Sequence, residues 1–156
     1  MHLAIVTGGQ TGVDRGALDA ALELGVPCGG WCPAGRWAED GRLAERYPLR
    51  EAEGGYESRT RRNVEDADAT LIVHHGTLAG GTLLTRQLCA SIGRPVWLVD
   101  AGTVSPADAA VDVRRFVEAH LVRRLNVAGP RASHWPEGRA YAYSLLRALF
   151  EGRPLP

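Results

Sequence analysis

Apolar positions along the chain fall into two alternating patterns. Short continuous apolar runs, which suit strands buried on both faces, alternate with stretches in which apolar residues recur every third or fourth position, as on one face of a helix. The runs lie at residues 3–7, 28–32, 69–75, 96–100 and 125–128. The helical stretches lie at residues 13–24, 56–67, 82–92, 105–123 and 136–151. Stop and start signals mark their ends. Gly25 and Pro27 close the first helical stretch, and Gly93 and Pro95 close the third. Ser105-Pro106-Ala107-Asp108 reads as a capped helix start. Residues 33–55, rich in Pro, Gly and charge, read as a long loop.

Alternation of this kind predicts an α/β fold: a Rossmann-like, doubly wound parallel sheet of about five strands, helices on both faces, one domain spanning residues 1–156. Numbering the strands along the chain, the favoured order is 2-1-3-4-5, which makes strands 1 and 3 neighbours. The order 3-2-1-4-5 is the alternative.

Two glycine-rich loops follow apolar runs. Gly8-Gly9-Gln10-Thr11-Gly12 follows the first, and Gly76-Thr77-Leu78-Ala79-Gly80-Gly81-Thr82 follows the third. Unpaired amides at a helix start carry the positive end of the dipole, and glycine lets an anion approach them. Two such loops facing one crevice predict a ligand that carries phosphate. A tight turn without a ligand would also use glycine at the first loop. Asp14 and Arg15 follow in the first helical turn, where an acid can merely favour the dipole and an arginine can be solvated. Thr82 can cap its helix or bind a phosphate oxygen.

Composition narrows the chemistry. All 18 basic residues are arginine, which excludes a phosphate-loop lysine and a Schiff-base lysine. Phosphate must then be held by amides, hydroxyls and arginine forks. The formal net charge of zero gives no general attraction to nucleic acid or to a membrane surface. No apolar run can span a bilayer, so a cytoplasmic protein is expected. Cys28, Cys32 and Cys89 read as free, buried thiols, with Cys28 and Cys32 sharing a face of one strand. His74 and His75 point to opposite sides of a strand and make a poor metal pair. No protein-ligated metal is expected. Trp31, Trp37 and Trp135 are candidates for the surface of a homo-oligomer. No local motif declares a catalytic residue, as there is no nucleophile elbow, C-x-x-C or H-E-x-x-H.

The strings GGQTGVDRGALDAALELG (8–25), GGWCPAGRWAEDG (29–41), RTRRNVEDADATLIV (59–73), GGT (80–82) and LNVAGPR (125–131), with Tyr47-Pro48-Leu49, resemble the molybdenum-cofactor carrier family. That family is similar to the wider Rossmann-like superfamily of the lysine-decarboxylase-like (LOG) phosphoribohydrolases and the DNA-processing A proteins. The resemblance implies a ligand cradle made by Gly8, Gly9, Gln10, Thr11 and Gly12 with Gly80, Gly81 and Thr82. It also draws Asp14, Arg15, Gly35, Arg36, Arg59 and Asn63 toward the site. The implied ligand is the molybdenum cofactor (molybdopterin) or a related phosphorylated pterin or nucleotide-like molecule. The implied partners are molybdoenzymes that accept the cofactor. A nucleoside-monophosphate phosphoribohydrolase and a nucleotide sensor are the alternatives. The phosphoribohydrolases carry a glutamate three residues after the threonine of their second loop. Here that position is Thr85, so a carrier is favoured over an enzyme.

Overall fold

The computed structural model describes residues 3–151. Along the chain run β1 (Ala4–Val6), α1 (Val13–Leu24), β2 (Cys28–Gly29), β3 (Trp31–Pro33), a 3-10 turn (Ala34–Arg36), β4 (Trp37–Ala38), β5 (Gly41–Arg42) and β6 (Arg50–Ala52). Then follow α2 (Tyr56–Asp66), β7 (Ala69–His74), α3 (Gly80–Ile92), β8 (Val96–Asp100), α4 (Pro106–Ala119), β9 (Arg124–Ala128) and α5 (Gly138–Phe150). The expected α/β alternation is present. The stop signals work as read: Gly25 takes a left-handed conformation at the end of α1, and Gly93 does the same after α3. The Ser105 side chain accepts a hydrogen bond from the Asp108 amide at 3.2 Å and caps α4.

The main sheet has five parallel strands in the order β2-β1-β9-β7-β8. In the numbering of the five apolar runs this is 2-1-5-3-4, and neither expected order occurs. The last strand inserts between the first and the third. Its burial suits that place: Leu125, Asn126 and Val127 are all buried, as in a strand covered on both faces. Counted instead from β9, with the chain ends notionally joined, the same sheet reads 3-2-1-4-5. The fold is a doubly wound sheet whose first βα unit, β9–α5, stands at the end of the chain.

Alternate residues of β7 face two helical layers. Ala69, Leu71 and Val73 join the large core built with α1, α4 and α5, around Leu145, Leu146 and Leu149. The other layer is α2 and α3, which enclose Val64, Leu88 and Cys89.

Two further expectations need correction. Residues 28–32 are not one strand: Cys28–Gly29 pairs with β1, whereas Trp31–Pro33 pairs with β6 in a separate two-stranded sheet. Gly30 makes the break, with φ at 135° and its Cα packed on the Thr7 backbone, where no β-carbon fits. Cys28 and Cys32 therefore sit in different sheets; Cys32 and Cys89 are buried and Cys28 half-buried. Residues 33–55 are not a bare loop. They hold β6 and the β4–β5 hairpin, and fold over Leu18 and Cys32 through Leu43, Tyr47 and Leu49.

Candidate functional site

The carboxyl ends of β9 and β7 diverge at the sheet's switch point, where ligands bind in open α/β sheets. A cavity of about 690 Å³ opens there, within the size range of small-molecule sites. Its walls come from four places. The loop after β1 gives Gly8, Gln10 and Asp14, and α2 gives Tyr56, Arg59, Thr60 and Asn63. The turn into α3 gives Thr77, Gly80, Gly81 and Thr82, and the β9–α5 connection gives Gly129, Pro130, Arg131, His134 and Trp135. Both glycine loops thus face one cavity, although β9 separates their strands.

The first loop divides its work. Gly8 and Gln10 line the cavity; Gly9, Thr11 and Gly12 brace the loop from behind. The Gly9 carbonyl accepts from Arg15 Nε at 3.3 Å and Nη2 at 3.2 Å. The Thr11 hydroxyl donates to Glu39 and accepts from the Ala132 amide at 3.0 Å. Gly12 has φ 79° and ψ −130°, and its Cα lies against the Pro130 carbonyl, so a side chain there would collide with backbone. Glu39, at the tip of the β4–β5 hairpin, clasps this loop to the β9–α5 connection. Its amide donates to Gln10 Oε1 at 2.9 Å, and its carboxylate accepts from the Ser133 amide at 3.0 Å and hydroxyl at 2.7 Å. These bonds hold the Glu39 carboxyl below its ordinary range, the Thr11 hydroxyl contributing most.

The second loop delivers the start of α3. Its first turn has no side-chain cap, with Ala79 at the capping position. Gly80 and Gly81 leave open space where β-carbons would stand. Thr82, 7% exposed as a whole residue, lines the cavity beside them.

Asp14 and Arg59 carry the charge in this wall. Asp14 Oδ2 lies 3.7 Å from Arg59 Nη1, with the side chains 7% and 12% exposed. Asp14 Oδ2 also accepts from the Gln10 amide at 3.3 Å. Burial pushes the Asp14 carboxyl up to about 6, against the opposing pull of Arg59 and of the Gln10 amide. Strongly shifted carboxyls in clefts are a mark of functional sites. Arg59 Nε is buried without a partner.

A model of the circularly permutated YpsA SLOG family matches residues 5–150. The chain belongs to that family. Circular permutation is also what the sheet records, with the first βα unit moved to the end of the chain. Among solved structures, the chain is similar to a "putative molybdenum carrier protein" from Syntrophus aciditrophicus SB, solved at 1.45 Å. The two share 42% identity with a TM-score of 0.92, over 95% of this chain and 94% of that one. No curated protein matches.

Within this member of the circularly permutated YpsA SLOG family, several residues drawn toward the site serve the scaffold instead. Arg15 points away from the cavity, bonding Asp40 at 2.9 and 3.1 Å besides the Gly9 carbonyl. Arg36 is buried, and its guanidinium donates to the carbonyls of Ala44, Tyr47 and Leu49 at 2.8–3.0 Å. Gly35 shapes the turn beside it and donates its amide to Glu51. Asn63 lines the cavity, but its amide group is taken up by the Trp31 backbone N–H and carbonyl at 2.8 and 2.9 Å. Trp135 is buried in the cavity wall, not at a surface; Trp37 is 57% exposed.

LNVAGPR (125–131) is among the strings that carry the resemblance, yet no expected site residue comes from the β9–α5 connection. Its signal was Gly129 directly after an apolar run, as Gly8 and Gly76 follow theirs. It brings Arg131 and His134 to the cavity rim, and Trp135 beside the ring of His75 at 5.9 Å. Among the described residues, no group of three or more His, Cys, Asp or Glu is arranged to hold a metal ion. No helix there is long and apolar enough to cross a membrane.

Proposed function

We propose that this protein binds and holds a phosphorylated, flat heterocyclic molecule, the molybdenum cofactor, and hands it to molybdoenzymes. The observation that carries the reading is Thr82. It lines the cavity beside two glycines at a helix start that no side chain caps. A phosphate oxygen there would accept from the hydroxyl and the free amides together. Gly8, Gln10 and Arg59 would complete the cradle, and Gly9, Thr11, Gly12, Asp14 and Arg15 would hold its shape and charge. The conjugated ring would lie against His75 and Trp135, which offer aromatic faces. The cofactor's own dithiolene would keep the metal, so the protein needs no thiolate. The name of the 42% identical relative supports the same ligand class.

Anaerobic mixing with released cofactor, followed by addition of an apo-molybdoenzyme, tests the proposal. The expected result is saturable binding and activation of the acceptor. Failure to bind or to donate would reject the carrier role.

One observation favours a second reading, hydrolysis of a nucleoside monophosphate at its N-glycosidic bond. Asp14 is a buried carboxyl raised to about 6 within the cavity, close to the pH at which a general acid or base works best. Release of free base from AMP, abolished in Asp14→Asn, would establish it in place of the carrier reading.

A further inference from the structure

The cavity that would receive an anion already contains one. Asp14 faces Arg59 across 3.7 Å, both side chains nearly enclosed. Arg59 is the cavity's only deep cation among the described residues, since the side chain of Arg131 is 45% exposed at the rim. An entering anion therefore meets a guanidinium that already faces a carboxylate, and it also meets that carboxylate's field. Both side chains are nearly enclosed, so the repulsion is poorly screened. The conflict ends if the carboxylate takes a proton.

We propose that anion binding in this cavity is proton-coupled: Asp14 takes up a proton from solvent as a tetrahedral anion takes over Arg59. This rests on the reading of the cavity as an anion site and adds the regulation of that site. No covalent bond forms or breaks; one proton and one anion enter together, and both leave on release.

The other groups around Asp14 single it out. Arg15, on its own helix, is committed to Asp40 and the Gly9 carbonyl. From α2 come Arg59 and Glu57; α3 brings no charged side chain to the cavity. His75 follows β7, and Arg131 and His134 stand on the β9–α5 connection. Glu39, on the hairpin, is held by Thr11 and Ser133. Both imidazoles are exposed, where solvent weakens their coupling to a bound anion. Asp14 is enclosed, and burial already brings its carboxyl up to about 6, so the added proton is within reach near neutral pH. The functional consequence is a site that grips its ligand more firmly as pH falls.

Sulfate is the probe, because it is a tetrahedral dianion that does not itself titrate near neutrality. Calorimetric titration of the full chain at pH 7, in two buffers of different ionisation enthalpy, gives the protons taken up per sulfate. The expected value is most of one proton for the wild type and none for Asp14→Asn. Wild-type affinity should weaken with rising pH by as much as tenfold per unit, the limit for one linked proton. Should Asp14→Asn fold poorly, carbon-13 NMR of the Asp14 carboxyl in the wild type reads the same event: saturating sulfate should move it to the protonated position. Sulfate binding without proton uptake, uptake that persists in Asp14→Asn, or an Asp14 carboxyl unmoved by sulfate would overturn the coupling. No sulfate binding at any pH would overturn the anion-site reading itself, which keeps the two failures apart.

Discussion

Arg59 lies across Gly8 so closely that a β-carbon at position 8 would overlap its guanidinium. The first glycine of the first loop is thus the floor on which the deep cation of the cavity rests. The atom in the way is the far end of a flexible side chain, so Gly8→Ala should expel Arg59 without breaking the fold. The expected cost in stability is about 1 kcal/mol, and the expected loss in sulfate or cofactor affinity is about tenfold, or ~1.4 kcal/mol. Thermal unfolding and calorimetric binding on one preparation check both halves.

Gly12, four residues on, should behave in the opposite way. Its φ of 79° suits glycine, and a β-carbon would strike the Pro130 carbonyl, which is backbone and cannot yield. Gly12→Ala should cost about 3 kcal/mol or more. Urea denaturation should place it far below Gly8→Ala.

Asp14 sets a pH dependence of stability whose sign follows from burial. Its folded carboxyl titrates at about 6, above the ordinary 3.8. Between those values the folded protein binds more protons than the unfolded chain, so Asp14's contribution is full below the lower value and is lost as pH rises through the upper one. Asp14→Asn has no such loss. Relative to the variant, the wild type should lose about 2 kcal/mol between pH 4.5 and 7.5. Chemical denaturation across that range measures the difference, and parallel curves would refute the assignment.

Arg36 separates scaffold from site. Its guanidinium ties down the carbonyls of Ala44, Tyr47 and Leu49 and does not line the cavity. Arg36→Ala should destabilise by about 3 kcal/mol, because buried carbonyls lose their donors. Ligand affinity, measured where the variant is folded, should hold. Arg59→Ala should show the reverse pattern.

The local rhythm of the fold was legible in the sequence because strand and helix periods and their glycine stops are local properties. The strand order was not. Nothing near β9 announces that it leaves the chain's end to fill the sheet centre; that follows from which strand is buried on both faces. The two glycine loops were legible for the same local reason, and both do face one cavity. Arg15 and Arg36 were not legible as scaffold, since an arginine beside a glycine turn looks alike whether its partner is a ligand or three carbonyls. Arg131, His134 and Trp135 reach the cavity only through the permuted placement of β9, so sequence distance hid them.

A crystal structure grown anaerobically with the molybdenum cofactor tests the central claim most directly. The account predicts the cofactor's phosphate on the amides of Gly80 and Gly81 and the Thr82 hydroxyl, within reach of Arg59. A cofactor seated away from the start of α3, or a cavity that stays empty at saturating cofactor, would contradict it.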